Sequence, residues 1–299
     1  MQRTKSKSET KAGIYMNLLN DWGFKYVFGK EKNLICFLNL VFQGKEEIRS
    51  IVYLPTEQLG KTEKDRKAIF DVYCKNEKEE PILLEMQNLS QAYFRDRSLF
   101  YSTFLVQQQS VKGDWNYRLK STYVIGILNF VSKGKVDGNY IERVSLLNEQ
   151  TKEPVSDTLK FIYIVLPKFK KKLNELANDL DYWLYILKHS KKMKSQPKKL
   201  KENFFLELLE EIKLEQLKGK KMKAYRNSEL RYEDLHNFTS YAKEEGILEG
   251  EKRGIKKGEQ KGSMDSKLQI SRKLLEMGLS IKDISEATGL TLQQIQQIN

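Results

Sequence analysis

Apolar positions along the chain fall first into a helical rhythm. Asn20 or Asp21 can cap a helix beginning at Trp22 that carries Phe24, Val27 and Phe28, and the dense run "NLICFLNLVF" extends it as a buried helix. The period then shortens to two. "IRSIVYL" (48–54) and "AIFDVYC" (68–74) read as strands, and the polar loop "KNEKEE" separates the second from "PILLEMQ". From about Ser90 to Val111 the pattern is helical again. "YVIGILNF" (123–130) and "LKFIYIVL" (159–166) are β-rich apolar runs suited to central strands covered on both faces, with "YIERVSLLN" as a further strand between them. Strands, a helix and more strands make a mixed α/β layered architecture.

Beyond Pro167 the character changes. "KFKKKLNELANDLDYWLYILKHSKK" reads as one long amphipathic helix, followed by the lysine-rich connector "KKMKSQPKKLK" and by further helices over 202–245. Gly246, Gly250, Gly254, Gly258 and Gly262 recur every four residues. Each costs a helix about 1 kcal/mol relative to alanine, which predicts a frayed helix or flexible tether. No strand precedes these glycines and no GKS or GKT triplet follows, so they are not a phosphate-binding loop. The tail "SRKLLEMGLSIKDISEATGLTLQQIQQIN" has the rhythm of a helix-turn-helix, with Ser280 and Thr291 as caps. The expected organisation is a disordered segment 1–14, a main domain 15–195, a helical region 196–245, a linker 246–264 and a small helical tail 265–299.

Composition sharpens this picture. Of 299 residues, 39% are hydrophobic, enough for a real core, and the formal net charge is +13. Such a surplus suits a polyanionic partner, nucleic acid or an anionic membrane surface, or serves solubility alone. Cys36 and Cys74 sit in apolar surroundings and look like reduced thiols of a cytoplasmic protein. His189 and His236 have no metal-ligand spacing with them, which excludes a structural zinc site. No apolar run approaches the roughly 18 residues of a membrane span, and "MQRTKSKSET" lacks a signal-peptide centre.

One residue breaks the pattern. Glu85 lies inside an apolar strand, and alternation puts Gln87 on its face while Ile82, Leu84 and Met86 point the other way. In the preceding strand Ile69, Asp71 and Tyr73 share one face, and Phe70, Val72 and Cys74 the other. A hairpin centred on Lys78 sets Asp71 across from Glu85, with Cβ atoms about 5 Å apart. Carboxylates that close repel by about 3 kcal/mol at an effective dielectric of about 20. A divalent ion such as Mg²⁺, content with one or two carboxylates, relieves that repulsion. The competing reading is a hydrated sheet surface.

These residues resemble the D…ExK signature of PD-(D/E)XK nucleases, in the form used by recombination-promoting nucleases of the Rpn type, a transposase group. The matching pieces are Asp21, Phe24, Lys25 and Phe28 in "DWGFKYVF", Asp71-Val72, Glu85-Met86-Gln87, and Arg97 and Tyr101 in "RSLFY". The likeness runs from about residue 15 into the tail. It implies a restriction-endonuclease-like mixed sheet flanked by helices, and a DNA endonuclease dependent on Mg²⁺ (or Mn²⁺) with a role in recombination. It implies that Asp71 and Glu85 bind the metal, with the backbone carbonyl of Met86 completing the coordination. Gln87 stands where the motif expects lysine and could orient the attacking water. The missing positive charge falls to Arg97, which shares a helix face with Tyr101; pairing of Arg97 with a surface acid is the plainer alternative.

The remaining candidates have simpler explanations. Asp21 is most simply a helix cap, with a supporting role near the metal as the alternative. Lys25 reads as a solvated lysine that could touch phosphate, Glu57 as an acid able to approach the metal, and Tyr101 as core. His189 fits a helix C-terminal turn. Lysines between Lys168 and Lys201 can track a DNA backbone or be a solvated face. DNA is therefore the expected partner, with possible self-association through the C-terminal helices. Two rival readings stand beside the nuclease. One is a non-catalytic DNA-binding or assembly protein keeping the scaffold; the other is a regulator reading DNA through residues 265–299.

Overall fold

A computed structural model describes residues 13–58, 68–90, 93–131, 139–197 and 203–298. The expectation for residues 1–14 falls almost wholly outside these, as does the end of the lysine-rich connector. The chain divides into two compact units at the Tyr232/Glu233 boundary.

The first unit opens with two helices where one continuous helix was expected. Helix α1 (Asp21–Phe28) is capped by Asn20, whose side chain accepts from the Gly23 N–H; it ends at Gly29, and α2 (Glu31–Phe42) starts anew. Strands β1 (Ile51–Tyr53), β2 (Glu57–Gln58) and β3 (Ala68–Ile69) follow. The run "AIFDVYC" is thus not one strand. A bend at Asp71 separates β3, which pairs with β2, from β4 (Val72–Asn76), and carries Phe70 to the face of Tyr73. Then come β5 (Pro81–Gln87), α3 (Phe94–Gln107), β6 (Thr122–Leu128), β7 (Ile141–Leu147) and β8 (Pro154–Val165).

Six strands form one mixed sheet in the order β1-β4-β5-β6-β8-β7. β5, β6 and β8 are parallel, and the flanking pairs antiparallel. Period-two alternation sorts the side chains. Val72, Cys74, Ile82, Leu84 and Met86 join the larger core with α1 and α2, whereas Tyr73 and Leu83 face α3 through Phe94 and Leu105. Gly126 lets α3 approach, since a Cβ there would stand 3.0 Å from Phe94 and 3.1 Å from Tyr163.

The stretch after Pro167 holds turns rather than a long helix. Helix α4 is confined to Asp179–His189 and is capped by the Asn178 side chain, which accepts from the Asp181 N–H at 2.9 Å. Lysines at 170–172 leave too little apolar surface to bury an earlier helical turn. Trp183 of α4, 0% exposed, stacks on Phe28. Helix α5 (Asn203–Glu211) and the start of α6 (Gly219–Glu276) belong to this same core through Phe205, Leu208 and Tyr225. The main unit therefore runs to residue 232, past the expected boundary at 195.

From Glu233 onward, α6 continues helical through the glycine-punctuated stretch expected to be a linker. Propagation from helical turns on both sides needs no new nucleus, which offsets the glycine cost. Its end packs Leu268, Leu274 and Leu275 against Ile284, Leu290 and Ile295 of α7 (Ile281–Thr288), α8 (Leu292–Gln296) and their connection, with Ser280 and Thr291 capping as expected.

Candidate active site

The β4–β5 register pairs Val72 with Leu84, Tyr73 with Leu83 and Cys74 with Ile82, a hairpin centred on residue 78. One step further, Asp71 lies across from Glu85. The bend at Asp71 turns its backbone out of the ladder, so that its N–H donates to Glu85 Oε1 at 3.1 Å. In return, the Met86 N–H donates to Asp71 Oδ2 at 2.9 Å. Each carboxylate is thus held by a backbone group next to the other, and both are fixed in one place.

Glu85 is 7% exposed. Burial, and then the adjacent Asp71 charge, push its carboxyl up to about 8; the Asp71 N–H, Arg97 and Lys25 oppose the rise. Asp71 is also raised by burial, against the pull of the Met86 N–H and Lys25. Two acids held this close resist ionising together. Among the described residues, no group of three or more His, Cys, Asp or Glu side chains gathers in metal-binding geometry, so neither Glu57 nor Asp21 adds a third ligand. Glu57 is exposed on β2, across from Ile69.

Helix α1 contributes a cation. Lys25 Nζ lies 2.6 Å from Asp21 Oδ1 and 3.5 Å from Asp71 Oδ1, so it is ion-paired at the site rather than simply solvated. Burial works against its charge, yet Asp21 and Asp71 hold its pKa above the usual lysine value. Asp21 is the partner of Lys25, and the cap is Asn20. A second cation comes from α3. Arg97 Nη2 donates to Gln87 Oε1, and its guanidinium lies over the rings of Phe94 and Tyr101 at 5.5 and 5.6 Å. Tyr101 itself packs edge-on against Phe70 at 5.2 Å. Gln87 therefore seats an arginine beside the acids, and its amide also reaches Leu89 O at 3.4 Å.

Sequence reasoning missed the polar frame behind α1. Glu229 of α6 accepts from Asn20 Nδ2 at 2.7 Å and Asn17 Nδ2 at 3.0 Å, and pairs with Lys191. Asn129 donates its N–H to Gln87 O at 2.8 Å and its amide to Asn88 Oδ1 at 3.3 Å. The asparagines of "MNLLND" were the visible signal; Glu229, more than 200 residues downstream, offered none. His189 does end α4, but burial, Lys188 and Lys192 hold its pKa down, so it carries less charge for the helix dipole than expected.

A family model described as PD-(D/E)XK nuclease family transposase matches residues 18–242, a span that takes in every residue of this site. No curated protein and no solved structure matches the chain. Among the described residues, no helix is long and apolar enough to cross a membrane.

Proposed function

From a chain that belongs to the PD-(D/E)XK nuclease family transposases, we propose a DNA endonuclease that hydrolyses phosphodiester bonds with Mg²⁺ or Mn²⁺, in recombination or mobile-element biology. The observation that carries this reading is the reciprocal locking of Asp71 and Glu85, each accepting from a backbone N–H beside the other. Two adjacent carboxylates held in this way suit a hard divalent ion that keeps several waters. Asp71, Glu85 and the Met86 carbonyl would hold it. When bound, it supplies polarisation of the phosphodiester and a lowered pKa for the attacking water.

The chain's own groups do the rest. Gln87 has no charge of its own, but it accepts from Arg97, whose guanidinium can supply the positive charge that a motif lysine would carry. Arg97 thereby stabilises charge developing on the phosphate, its rings and amide partner keeping it oriented. Lys25 neutralises Asp71 while the acids are unliganded, and stands ready to pair with phosphate.

Purified protein with Mg²⁺ is expected to nick or linearise plasmid DNA, and EDTA to stop it. Asp71→Ala and Glu85→Ala should each abolish cutting with the fold intact; equal cutting by wild type and both variants would refute the proposal. Glutamine in place of lysine favours one alternative, a non-catalytic DNA-binding scaffold. Calorimetry separates them, since the scaffold would bind neither Mg²⁺ nor Mn²⁺.

A further inference from the structure

Gln87 of β5, Leu128 of β6 and Val165 of β8 are in register at the carboxyl ends of the three parallel strands. Open α/β sheets receive their ligands at that end. The acid pair reaches it through β5. Two strands away, the chain leaving β8 turns through Leu166–Lys168 and lays its next residues against the last turn of α4. Lys170, Lys171, Lys172, Lys188 and His189 line a hollow there of about 380 Å³.

The charges around this hollow do not cancel. Asp181 takes Lys171 at 2.7 Å and is occupied besides by the Ala177 N–H and the Tyr140 hydroxyl. Glu175 accepts from the Lys172 backbone N–H at 2.7 Å, and its charge, like that of Asp181, acts on Lys171, which leaves Lys170, Lys172 and Lys188 in excess of the two acids. Lys188 donates to Phe169 O, and burial together with Lys170 holds its pKa below the usual value. Lys170 and Lys172 reach solvent at the rim. Crowded cations of this kind are relieved by a multivalent anion, and oriented lysines are how proteins position a nucleic-acid backbone.

We propose that this hollow is a phosphate seat for the DNA backbone, gripping the strand some way along from the phosphodiester presented to Asp71 and Glu85. The proposal rests on the nuclease reading for its substrate but is tested without cleavage.

The test uses the full chain, a fluorescein-labelled DNA duplex and EDTA, with binding measured over a range of salt concentrations. Lys170→Gln with Lys172→Gln is compared with Lys120→Gln and Lys152→Gln, which remove equal charge from exposed side chains near the opposite ends of β6 and β8. The rim pair should weaken binding about tenfold at low salt and lower the slope of log K against log salt by about 1 to 2, while the control pair changes neither appreciably. Equal losses from both pairs, or an unchanged slope in the rim pair, would overturn it. Wild-type protein that binds through the rim yet never cuts with Mg²⁺ would sink the catalytic reading and leave the seat standing.

Discussion

Replacing Glu85 by Gln removes one ionisation and little else. The amide oxygen still accepts from the Asp71 N–H, and shape and burial are retained. In the wild type, burial and Asp71 raise the Glu85 carboxyl from its ordinary 4.5 to about 8. A raised carboxyl means that the folded state binds its proton more tightly than the unfolded chain. The resulting stability is fully present below about pH 4.5 and is lost progressively as pH climbs to about 8. The whole interval corresponds to at most about 5 kcal/mol. In EDTA at pH 9, Glu85→Gln should therefore be more stable than wild type by about 2 to 5 kcal/mol. For a unit of this size that means a Tm higher by roughly 5–15 °C. Near pH 4.5 the gap should close. Saturating Mg²⁺ at pH 9 should restore part of the wild-type deficit, by about 2.7 kcal/mol at a hundred times Kd, and leave the variant unmoved. Calorimetric melts from pH 4.5 to 9, with EDTA and with Mg²⁺, provide the measurement. Parallel wild-type and variant curves across that range would refute the account of the acid pair.

Two further outcomes follow from the elements around it. Arg97→Ala should lower kcat for DNA cleavage at saturating Mg²⁺ about 10²–10³-fold, and Arg97→Lys should recover part of the loss, both read by steady-state kinetics. Gly126→Ala drives a methyl group against Phe94 and Tyr163, and should cost about 1–3 kcal/mol in denaturant unfolding while loosening the helix that carries Arg97.

The hairpin was legible because two local signals agreed: the β-rich apolar runs "AIFDVYC" and "PILLEMQ", and a polar loop between them whose midpoint fixed the register. Lysine-rich amphipathic patterning misled over 168–178, although Asn178 marked the true helix start at the sequence level. Apolar density alone could not reveal the break at Gly29, because it persists across both helices. The bend at Asp71 was hidden for a different reason: it arises from side-chain oxygens competing for backbone donors, and hydrophobic periodicity carries no record of that competition. Contacts such as Lys25 with Asp71 and Asn20 with Glu229 join distant parts of the chain and had no local signature.

The hydrogen bonds from Asn17 and Asn20 to Glu229 span 209 to 212 positions of the chain. During synthesis from the N-terminus, the polar frame behind the helix bearing Lys25 therefore stays incomplete until α6 has begun to emerge, long after the acid-bearing hairpin can zip up by itself. Hydrolytic competence should accordingly arrive late on the ribosome, and nascent chains arrested before residue 229 would leave Lys25 without its frame.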